Sequence, residues 1–267
     1  MYETFYRLNR TPFSREIPTA DLYQVPLLED ILARLQYTAD RQLFTVFTGE
    51  AGTGKTTTLR KLRDQLQNRS SYKLFYLSDS KLTPRHFYKG LLEQLGCQSK
   101  FYRGDAKRQL HHEIELMRGI HRVQPVVVVD EGHLLDREML EEVRFLLNFK
   151  MDSQSPMALI LAGQNELWEK LKLQNYGAIR QRIDLRCKLV PYDRAQTEAY
   201  LIQHLSAAGC KREIFSEGAL DLIYSHSGGI ARLINKVAGH CLLYGAQSQK
   251  PIIDDHMVKL VIQGEIS

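Results

Sequence analysis

The stretch Gly49-Glu50-Ala51-Gly52-Thr53-Gly54-Lys55-Thr56 fits the phosphate-binding pattern G-x-x-x-x-G-K-[ST] at every fixed position. It follows the apolar run 43–48, which is typical of a strand, and it precedes a helical pattern from about 55 to 68. Glycines let such a loop turn its backbone N–H groups around phosphate oxygens, and the next helix directs its positive N-terminal end at the same anion. The agreement of strand, loop and helix predicts a nucleotide site and disfavours a chance glycine turn.

Each residue type in this loop has an expected role. Lys55 would neutralise the β- and γ-phosphates, and the Thr56 hydroxyl would bind Mg²⁺. The predicted ligands are therefore ATP and Mg²⁺. The predicted nucleotide-binding residues of the loop are Gly49, Glu50, Ala51, Gly52, Thr53, Gly54, Lys55, Thr56 and Thr57.

The length and composition are those of an ordinary soluble protein. A chain of 267 residues suits one large domain, or one domain and a small lid. No apolar run approaches the roughly 20 residues needed to span a bilayer, and the amino terminus lacks a signal-peptide layout, so we expect a cytoplasmic protein without a membrane partner. The four cysteines are far apart and form no C-x-x-C pair, which indicates neither a zinc site nor a disulfide framework.

Apolar β-rich runs alternate with helical patterns over the first two thirds of the chain. The predicted strands are 43–48, 73–78, 125–130, 157–162 and 185–189. The predicted helices include 26–40, 55–68, 84–95, 105–122, 136–149 and 164–173. This alternation predicts a parallel sheet covered by helices on both faces. The uninterrupted β-branched run Val126–Val129 is typical of a central strand that is buried on both sides.

Strand patterns stop after Val190-Pro191, and helical patterns follow near 194–208, 216–226, 230–246 and 254–263. The shift predicts an α/β core over residues 26–191 and an all-helical lid over residues 192–267. Residues 1–25 form an extension rich in aromatic side chains, which we expect to pack on the core. Closure over an adenine ring, or over a neighbouring subunit, is the functional alternative for this extension.

Polar side chains follow two of the predicted strands. Asp130 would hold a magnesium-bound water, and Glu131 would orient and polarise the water that attacks the γ-phosphate. His133 is interpreted as a structural or coupling residue, because no partner ligands have a metal-site spacing. Gln164 would contact the γ-phosphate or the attacking water. Asn165 is the second choice for that role, with a helix N-cap as its alternative.

These motifs occur in the order found in AAA+ ATPases, which the chain resembles. The resemblance depends on the phosphate loop, Asp130-Glu131, Gln164, the segment 177–183 and the run Gly228-Gly229-Ile230-Ala231-Arg232. It implies a P-loop AAA+ core of three αβα layers with a parallel sheet, followed by a small helical lid. It also implies an ATPase that is slow and depends on oligomerisation.

The same resemblance implies roles for three arginines. Arg180 or Arg182 would act as an arginine finger, which offers positive charge to the nucleotide of an adjacent subunit in the transition state. Arg232 would be sensor 2 and would couple the lid to the γ-phosphate. The alternative is that these arginines pair with surface acids such as Asp184 or Glu217.

The amino-terminal residues indicate a narrower branch. Met1-Tyr2, Phe5-Tyr6-Arg7-Leu8 and Pro12-Phe13 resemble the general secretion pathway protein A (ExeA-type) ATPases, which are similar to the TnsC-like and MuB-like regulators of DNA transposition. Secretion ATPases of this type usually continue into a membrane helix and a periplasmic wall-binding region. The sequence given ends at Ser267, after the predicted lid, so we expect a helper ATPase of a transposase.

A duplex DNA partner is compatible with the charge of the chain. The net charge of +5 and the pI of about 8.9 permit a polyanionic partner without requiring one. A filament repeats weak phosphate contacts from every subunit, and no base-reading motif is evident, so binding would be largely sequence-independent. Each basic cluster could instead be a solvated face. The candidate DNA contacts are Lys81, Arg85, Lys100, Arg103 and Lys107.

The function predicted from these observations is an ATP-dependent, DNA-binding AAA+ regulator of transposition. It would form a ring or helical filament on duplex DNA in the ATP state, recruit a transposase and disassemble on hydrolysis. The first alternative is an ExeA-like ATPase that energises assembly of an envelope secretion complex. The second is an ATP-gated protein scaffold that hardly turns over, against which the intact Lys55, Asp130 and Glu131 argue.

Overall fold

A computed structural model describes residues 2–79, 82–147 and 155–266, apart from the side chains of residues 265 and 266. The described strands are β1 (Phe44–Gly49), β2 (Tyr72–Leu77), β3 (Gln124–Val129), β4 (Ala158–Gly163) and β5 (Leu185–Leu189). They form one sheet in the order β2-β3-β4-β1-β5, and every neighbouring pair is parallel. The predicted fold class is therefore confirmed.

The described α-helices follow the predicted pattern. They are α1 (Tyr2–Tyr6), α2 (Pro26–Arg41), α3 (Lys55–Gln67), α4 (Pro84–Gln94), α5 (Arg103–Gly119), α6 (Arg137–Leu146), α7 (Asn165–Lys172), α8 (Gly177–Arg180), α9 (Arg194–Ala207), α10 (Glu217–Ser227), α11 (Ala231–Gln247) and α12 (Asp255–Val261). Short 3-10 turns occupy Thr19–Asp21, Gly132–Leu134 and Gln174–Tyr176, and a π-helical turn occupies Ile262–Ile266. In the described part of the chain no helix has the length and apolar character needed to cross a bilayer.

Side-chain burial explains the position of each strand in the sheet. Every residue of β1 and β4 is buried, which is typical of central strands with helices on both faces. The valines of β3 are buried as well, as the sequence predicted. The outer strands β2 and β5 alternate between buried and more exposed residues. Because all five strands are parallel, their carboxyl ends lie at one edge of the sheet, and Asp130 and Gln164 follow β3 and β4 at that edge.

The chain divides into two compact units. The sheet unit contains residues 27–49 and 55–189, and its main hydrophobic cluster joins the sheet to α4, α5, α6 and α7. The helical unit contains residues 1–26, 50–54 and 190–267. An isolated parallel bridge between Phe215 and Ile253 is the only β pairing described in the helical unit. The predicted domain boundaries at residues 26 and 191 stay a prediction.

The aromatic extension requires a correction, because its side chains pack in the cluster of the helical unit. Tyr6 is 1% exposed, and its hydroxyl donates to the Lys250 carbonyl at 3.0 Å. The Phe13 ring stacks on His204 with the ring centroids 5.5 Å apart. These partners lie far along the sequence, so aromatic content could predict docking but could not identify the surface.

Candidate nucleotide site

The phosphate loop has the backbone geometry that its glycines predict. Gly52 has φ +84° and Gly54 has φ +109°, in the left-handed region that side chains with a Cβ atom rarely adopt. The Thr53 N–H and hydroxyl both donate to the Glu50 carbonyl, at 3.3 and 2.8 Å. The loop is thereby held in a tight turn, the kind of backbone that can surround an anion.

Lys55 begins helix α3 and supplies the expected ammonium group. The residue is only 8% exposed, and its Nζ donates to the Gly49 carbonyl at 2.9 Å. This bond holds the ammonium beside the start of the loop and the amino-terminal end of α3. An ammonium at a helix amino terminus favours binding of a polyphosphate.

The structure brings Thr56 and Asp130 together. Asp130 is 2% exposed, and its Oδ2 accepts a hydrogen bond from the Thr56 hydroxyl at 2.9 Å. Its Oδ1 accepts from the Glu131 backbone N–H at 2.8 Å. A hydroxyl and a carboxylate at this distance are hard oxygen ligands of the kind that suit Mg²⁺, so these residues fit the implied metal.

Tyr76 belongs to this site although no pattern in the sequence indicates it. Its hydroxyl donates to the same Oδ2 of Asp130 at 2.7 Å. Burial, followed by the bond to Asp130, raises the pKa of Tyr76. Tyr76 pairs with Val128 in the register of β2 and β3, two residues before Asp130. Strand order is a tertiary feature, so a tyrosine 54 positions from its partner carries no local signal.

His133 connects Glu131 with Gln164. The Oε2 atom of Glu131 lies 3.5 Å from His133 Nδ1, and the Gln164 side-chain amide nitrogen lies 3.1 Å from His133 Nε2. The Gln164 backbone N–H also donates to His133 Nδ1 at 3.4 Å. Three residues that the sequence singled out therefore lie together around the His133 ring.

Glu131 also has an unusual backbone conformation. Its φ is +54°, in the left-handed region, and its side chain is 45% exposed. Non-glycine residues in this region cluster at functional sites. The carboxylate therefore remains accessible to water, as its predicted role requires.

Arg232, the predicted sensor 2, lies near the start of α11 in the helical unit. Its backbone N–H donates to the Gly52 carbonyl at 3.0 Å, and its side chain is exposed. A Cβ atom added at Gly52 would lie 2.9 Å from the Arg232 Cβ and 3.1 Å from Ile230 Cγ2. Gly52 thus permits a close approach between the loop backbone and the start of α11.

The two candidate fingers lie on the segment between α7 and β5. Arg180 ends α8, is exposed, and donates from Nη1 to the Lys172 carbonyl at 2.7 Å. Arg182 is half-buried. Asp184, the acid suggested as an alternative partner, accepts from the Phe44 backbone N–H at 2.7 Å. The choice between Arg180 and Arg182 stays a prediction.

The four candidate DNA contacts that the structure describes form two groups, one without ion pairs and one with them. Arg85 and Lys100 are exposed, and neither has an ion pair with a carboxylate of the described residues. The Arg85 guanidinium lies 4.4 Å from the centre of the exposed Phe101 ring. Lys81 lies outside the described residues. Arg85 and Lys100 therefore remain candidates for contact with a polyanion.

Arg103 and Lys107 require a correction as DNA contacts. Both cations pair with Glu142, whose side chain is 3% exposed, and the Lys107 Nζ lies 2.9 Å from its Oε1. Arg103 also contacts Glu138 at 2.7 Å, and the Tyr88 hydroxyl donates to Glu142. A buried carboxylate is costly unless it is paired, so these cations stabilise the packing of α4, α5 and α6.

Replacement of Glu142 by glutamine is expected to lower the free energy of unfolding at pH 7 by about 1–3 kcal/mol. Burial alone would raise the pKa of Glu142, but hydrogen bonds from Tyr88, Lys107 and Arg103 outweigh burial and lower it. The contribution is therefore present above the unfolded pKa near 4.3 and is lost as the pH falls through the lower folded pKa. Urea unfolding at pH 7, 5 and 3 should show the difference between the two proteins shrinking at the lowest pH.

A matched control is available on the same helix. Glu138 binds the same arginine, but its side chain is 64% exposed. Replacement of Glu138 by glutamine should change the free energy of unfolding by less than about 1 kcal/mol. Equal losses for the two variants would contradict the assignment of Glu142 as the buried centre of this cluster.

Three comparisons relate this chain to known proteins. A family model described as "AAA domain" matches residues 38–171. General secretion pathway protein A of Aeromonas hydrophila is 33% identical over 251 residues, which are 91% of this chain and 44% of that protein. This chain therefore spans less than half the length of that relative.

Solved structures show the same fold at low sequence identity. Cdc6p of Pyrobaculum aerophilum has a TM-score of 0.70 at 19% identity over 90% of this chain and 67% of that chain. The Drosophila ORC structure bound to DNA has a TM-score of 0.70 at 19% identity over 100% of this chain and 66% of that chain. At this identity the likeness supports the fold alone.

The parallel sheet, the phosphate loop and the Thr56–Asp130 pair define a P-loop ATPase. The chain belongs to the AAA domain family, whose model matches half of its length. Its similarity to general secretion pathway protein A agrees with the ExeA-like branch predicted from the amino-terminal residues. The predicted ATPase class is confirmed, whereas the similarity to TnsC-like and MuB-like regulators stays a prediction.

Proposed function

We propose that the protein is a cytoplasmic, Mg²⁺-dependent ATPase that assembles with copies of itself on duplex DNA in the ATP state. It recruits a transposase or another recombination protein and disassembles when ATP is hydrolysed. The observation that carries the ATPase part is the contact between Thr56 and the buried Asp130 beside the phosphate loop, with Glu131 next in sequence. Assembly on duplex DNA and recruitment of a transposase are the more specific parts of this proposal.

The residues of the sheet unit have different roles in the proposed hydrolysis of ATP. Lys55 and Thr56 would hold the nucleotide and its metal, and Asp130, which follows β3, accepts a hydrogen bond from the Thr56 hydroxyl. Glu131 orients and polarises the attacking water. Gln164 contacts the γ-phosphate, and His133 connects Gln164 with Glu131. The magnesium ion, when bound, neutralises charge on the phosphate oxygens.

Three arginines would make assembly of the subunits depend on the bound nucleotide. Arg180 or Arg182 would reach the nucleotide of an adjacent subunit, so ATP would be contacted by two chains. Arg232 donates its backbone N–H to the phosphate loop at Gly52, so a change in the loop on hydrolysis would alter the position of α11. Loss of the γ-phosphate would then weaken the contact between subunits, and hydrolysis would act as a disassembly timer.

Contact with duplex DNA is supported by the exposed cations Arg85 and Lys100, which have no ion pair in the described chain. Their charge is thus available to phosphates, and repeated contacts from an assembly would add up. The structure of Drosophila ORC bound to DNA contains a chain of the same fold. That likeness supports the fold, and the DNA partner remains part of the proposal.

Replacing Arg85 and Lys100 together by alanine is expected to weaken DNA binding and to reduce the dependence of log K on log salt by about one for each phosphate that the variant no longer binds. Fluorescence anisotropy with labelled duplex DNA and a slowly hydrolysed ATP analogue measures both quantities across a salt series. Lys89 to alanine is the control, because Lys89 lies on the same helix as Arg85 and pairs with Glu93 at 3.6 Å. An unchanged salt slope in the double variant would exclude these residues as phosphate contacts.

A second candidate function has a specific observation in its favour. General secretion pathway protein A is 33% identical to this chain across 91% of it, which supports a role in energising assembly of an envelope secretion complex. Electrophoretic retardation of duplex DNA with ATP, ADP and a slowly hydrolysed analogue separates the candidates. A shift only in the ATP state supports the DNA regulator, and absence of any nucleotide-dependent shift at low salt favours the secretion ATPase.

A further inference from the structure

We infer that Tyr76 is a positioning residue of the metal–nucleotide site, where its hydroxyl holds the Asp130 carboxylate in the orientation that presents Thr56 to Mg²⁺. This inference rests on the proposed Mg²⁺-ATP function. The observation that carries it is the sharing of one carboxylate oxygen, Asp130 Oδ2, by the Tyr76 and Thr56 hydroxyls at 2.7 and 2.9 Å.

Three hydrogen bonds account for the orientation of the Asp130 carboxylate. Two reach Oδ2 from Tyr76 and Thr56, and the third reaches Oδ1 from the Glu131 backbone N–H. Asp130 is almost fully buried, so water does not readily replace a missing donor. Removing the Tyr76 hydroxyl would leave only the bonds from Thr56 and the Glu131 N–H, and the carboxylate would be held less firmly. Hydrogen bonds to the ligands of a metal site orient those ligands and tune the affinity of the site for the metal.

The polarity of the two bonds to Oδ2 matters for metal binding. The Tyr76 hydroxyl donates its proton to the carboxylate. The Thr56 hydroxyl also donates its proton to Asp130, which leaves the lone pairs of Thr56 Oγ1 for a cation. Tyr76 therefore acts on the metal through Asp130 and Thr56, without touching it.

The backbone of Tyr76 is fixed as well. β2 is an outer strand of the described sheet, so one side of its backbone has no neighbouring strand among the described residues. At Tyr76 the Gln94 side chain fills this place, because its Oε1 accepts from the Tyr76 N–H and its Nε2 donates to the Tyr76 carbonyl, both at 3.1 Å. A side chain that pairs both backbone groups of one outer-strand residue holds that residue in place.

The same strand offers a matched control. Tyr72 lies at the opposite end of β2, and its hydroxyl donates to Asp40 at 2.5 Å. Tyr72 and Tyr76 are thus both tyrosines of β2 that donate to an aspartate, but only Tyr76 reaches Asp130. Tyr72→Phe removes a tyrosine–aspartate bond at an exposed position of the same strand without touching the nucleotide residues.

The test is a Mg²⁺ titration of the binding of a fluorescent, slowly hydrolysed ATP analogue to the wild-type chain and to the Tyr76→Phe and Tyr72→Phe variants. Tyr76→Phe is expected to raise the Mg²⁺ concentration at half-maximal effect by about tenfold. Its binding of the analogue in excess chelator should match that of the wild type, because the phosphate loop is unchanged. Tyr72→Phe should follow the wild-type curve.

A spectroscopic measurement supplements the titration. Mn²⁺ substitutes for Mg²⁺, and the electron paramagnetic resonance spectrum of the Mn²⁺–analogue complex reports the order of its ligands. Tyr76→Phe should broaden that spectrum, whereas Tyr72→Phe should not. Retained analogue binding in chelator excludes misfolding as the cause of either change.

The outcomes separate this inference from the proposed function. Failure of the wild-type chain to bind the analogue at any Mg²⁺ concentration would overturn the proposed function. Wild-type binding together with a Tyr76→Phe midpoint within twofold of the wild-type value, or a lower one, would overturn the role of Tyr76 alone. An equal shift in Tyr72→Phe would assign the effect to the strand and would also overturn it.

Discussion

Replacing Glu131 by glutamine is expected to lower the rate of ATP hydrolysis by about 10²–10⁴-fold while ATP binding is retained. The amide keeps the size of the side chain but cannot take a proton from the attacking water. In the proposed site, Lys55, Thr56 and Asp130 would hold the nucleotide and metal without the Glu131 side chain, since the hydrogen bond from Glu131 to Asp130 comes from its backbone N–H. Phosphate release and binding of a fluorescent ATP analogue measure the two effects separately.

The same variant tests the disassembly timer. If hydrolysis ends the assembled state, Glu131→Gln should remain assembled with ATP for longer than the wild type, as followed by light scattering or sedimentation. Glu169→Gln is the control, because this glutamate is 65% exposed and pairs with Lys172 on α7. Loss of assembly in Glu131→Gln, with ATP still bound, would contradict the timer and would leave the ATPase assignment intact.

The sheet and the phosphate loop could be predicted from the sequence because both depend on local patterns. Continuous apolar runs indicated the strands, and each described strand lies within one residue of its predicted bounds. The loop depends on Gly52 and Gly54, whose φ values of +84° and +109° residues with a Cβ atom rarely adopt. Because parallel strands bring their carboxyl ends to the same edge, the sequence could assign Thr56 and Asp130 to one magnesium site, but it did not predict the hydrogen bond between them.

Features that depend on strand neighbours and tertiary partners could not be predicted in this way. Tyr76 reaches Asp130 only because β2 lies beside β3 in the sheet. Arg103 and Lys107 occur in a basic stretch that is typical of a polyanion contact, yet both pair with a buried glutamate 35 or more positions away. A basic stretch therefore predicts a polyanion contact only when its acidic partners are known.

Arg180→Ala is expected to reduce ATP hydrolysis by about 10³–10⁵-fold, the range for removal of an arginine finger, with little change in nucleotide affinity. The Arg180 side chain is exposed and donates to the Lys172 carbonyl, so it is available to an adjacent subunit. Arg182 is half-buried, and Arg182→Ala is the matched comparison two residues away. The variant with the larger loss of phosphate release, at equal binding of the ATP analogue, identifies the finger.

Mixing variants shows whether the finger acts between subunits. In a mixed assembly, an Arg180→Ala subunit keeps Glu131 and can receive Arg180 from a Glu131→Gln neighbour, so its site becomes complete. Two preparations that are each nearly inactive should therefore hydrolyse ATP when combined, with activity that peaks at intermediate mixing ratios. Because a residue acting within its own chain cannot be supplied by another chain, the absence of any recovery in assemblies shown to contain both variants would place Arg180 outside the catalytic machinery of its neighbour.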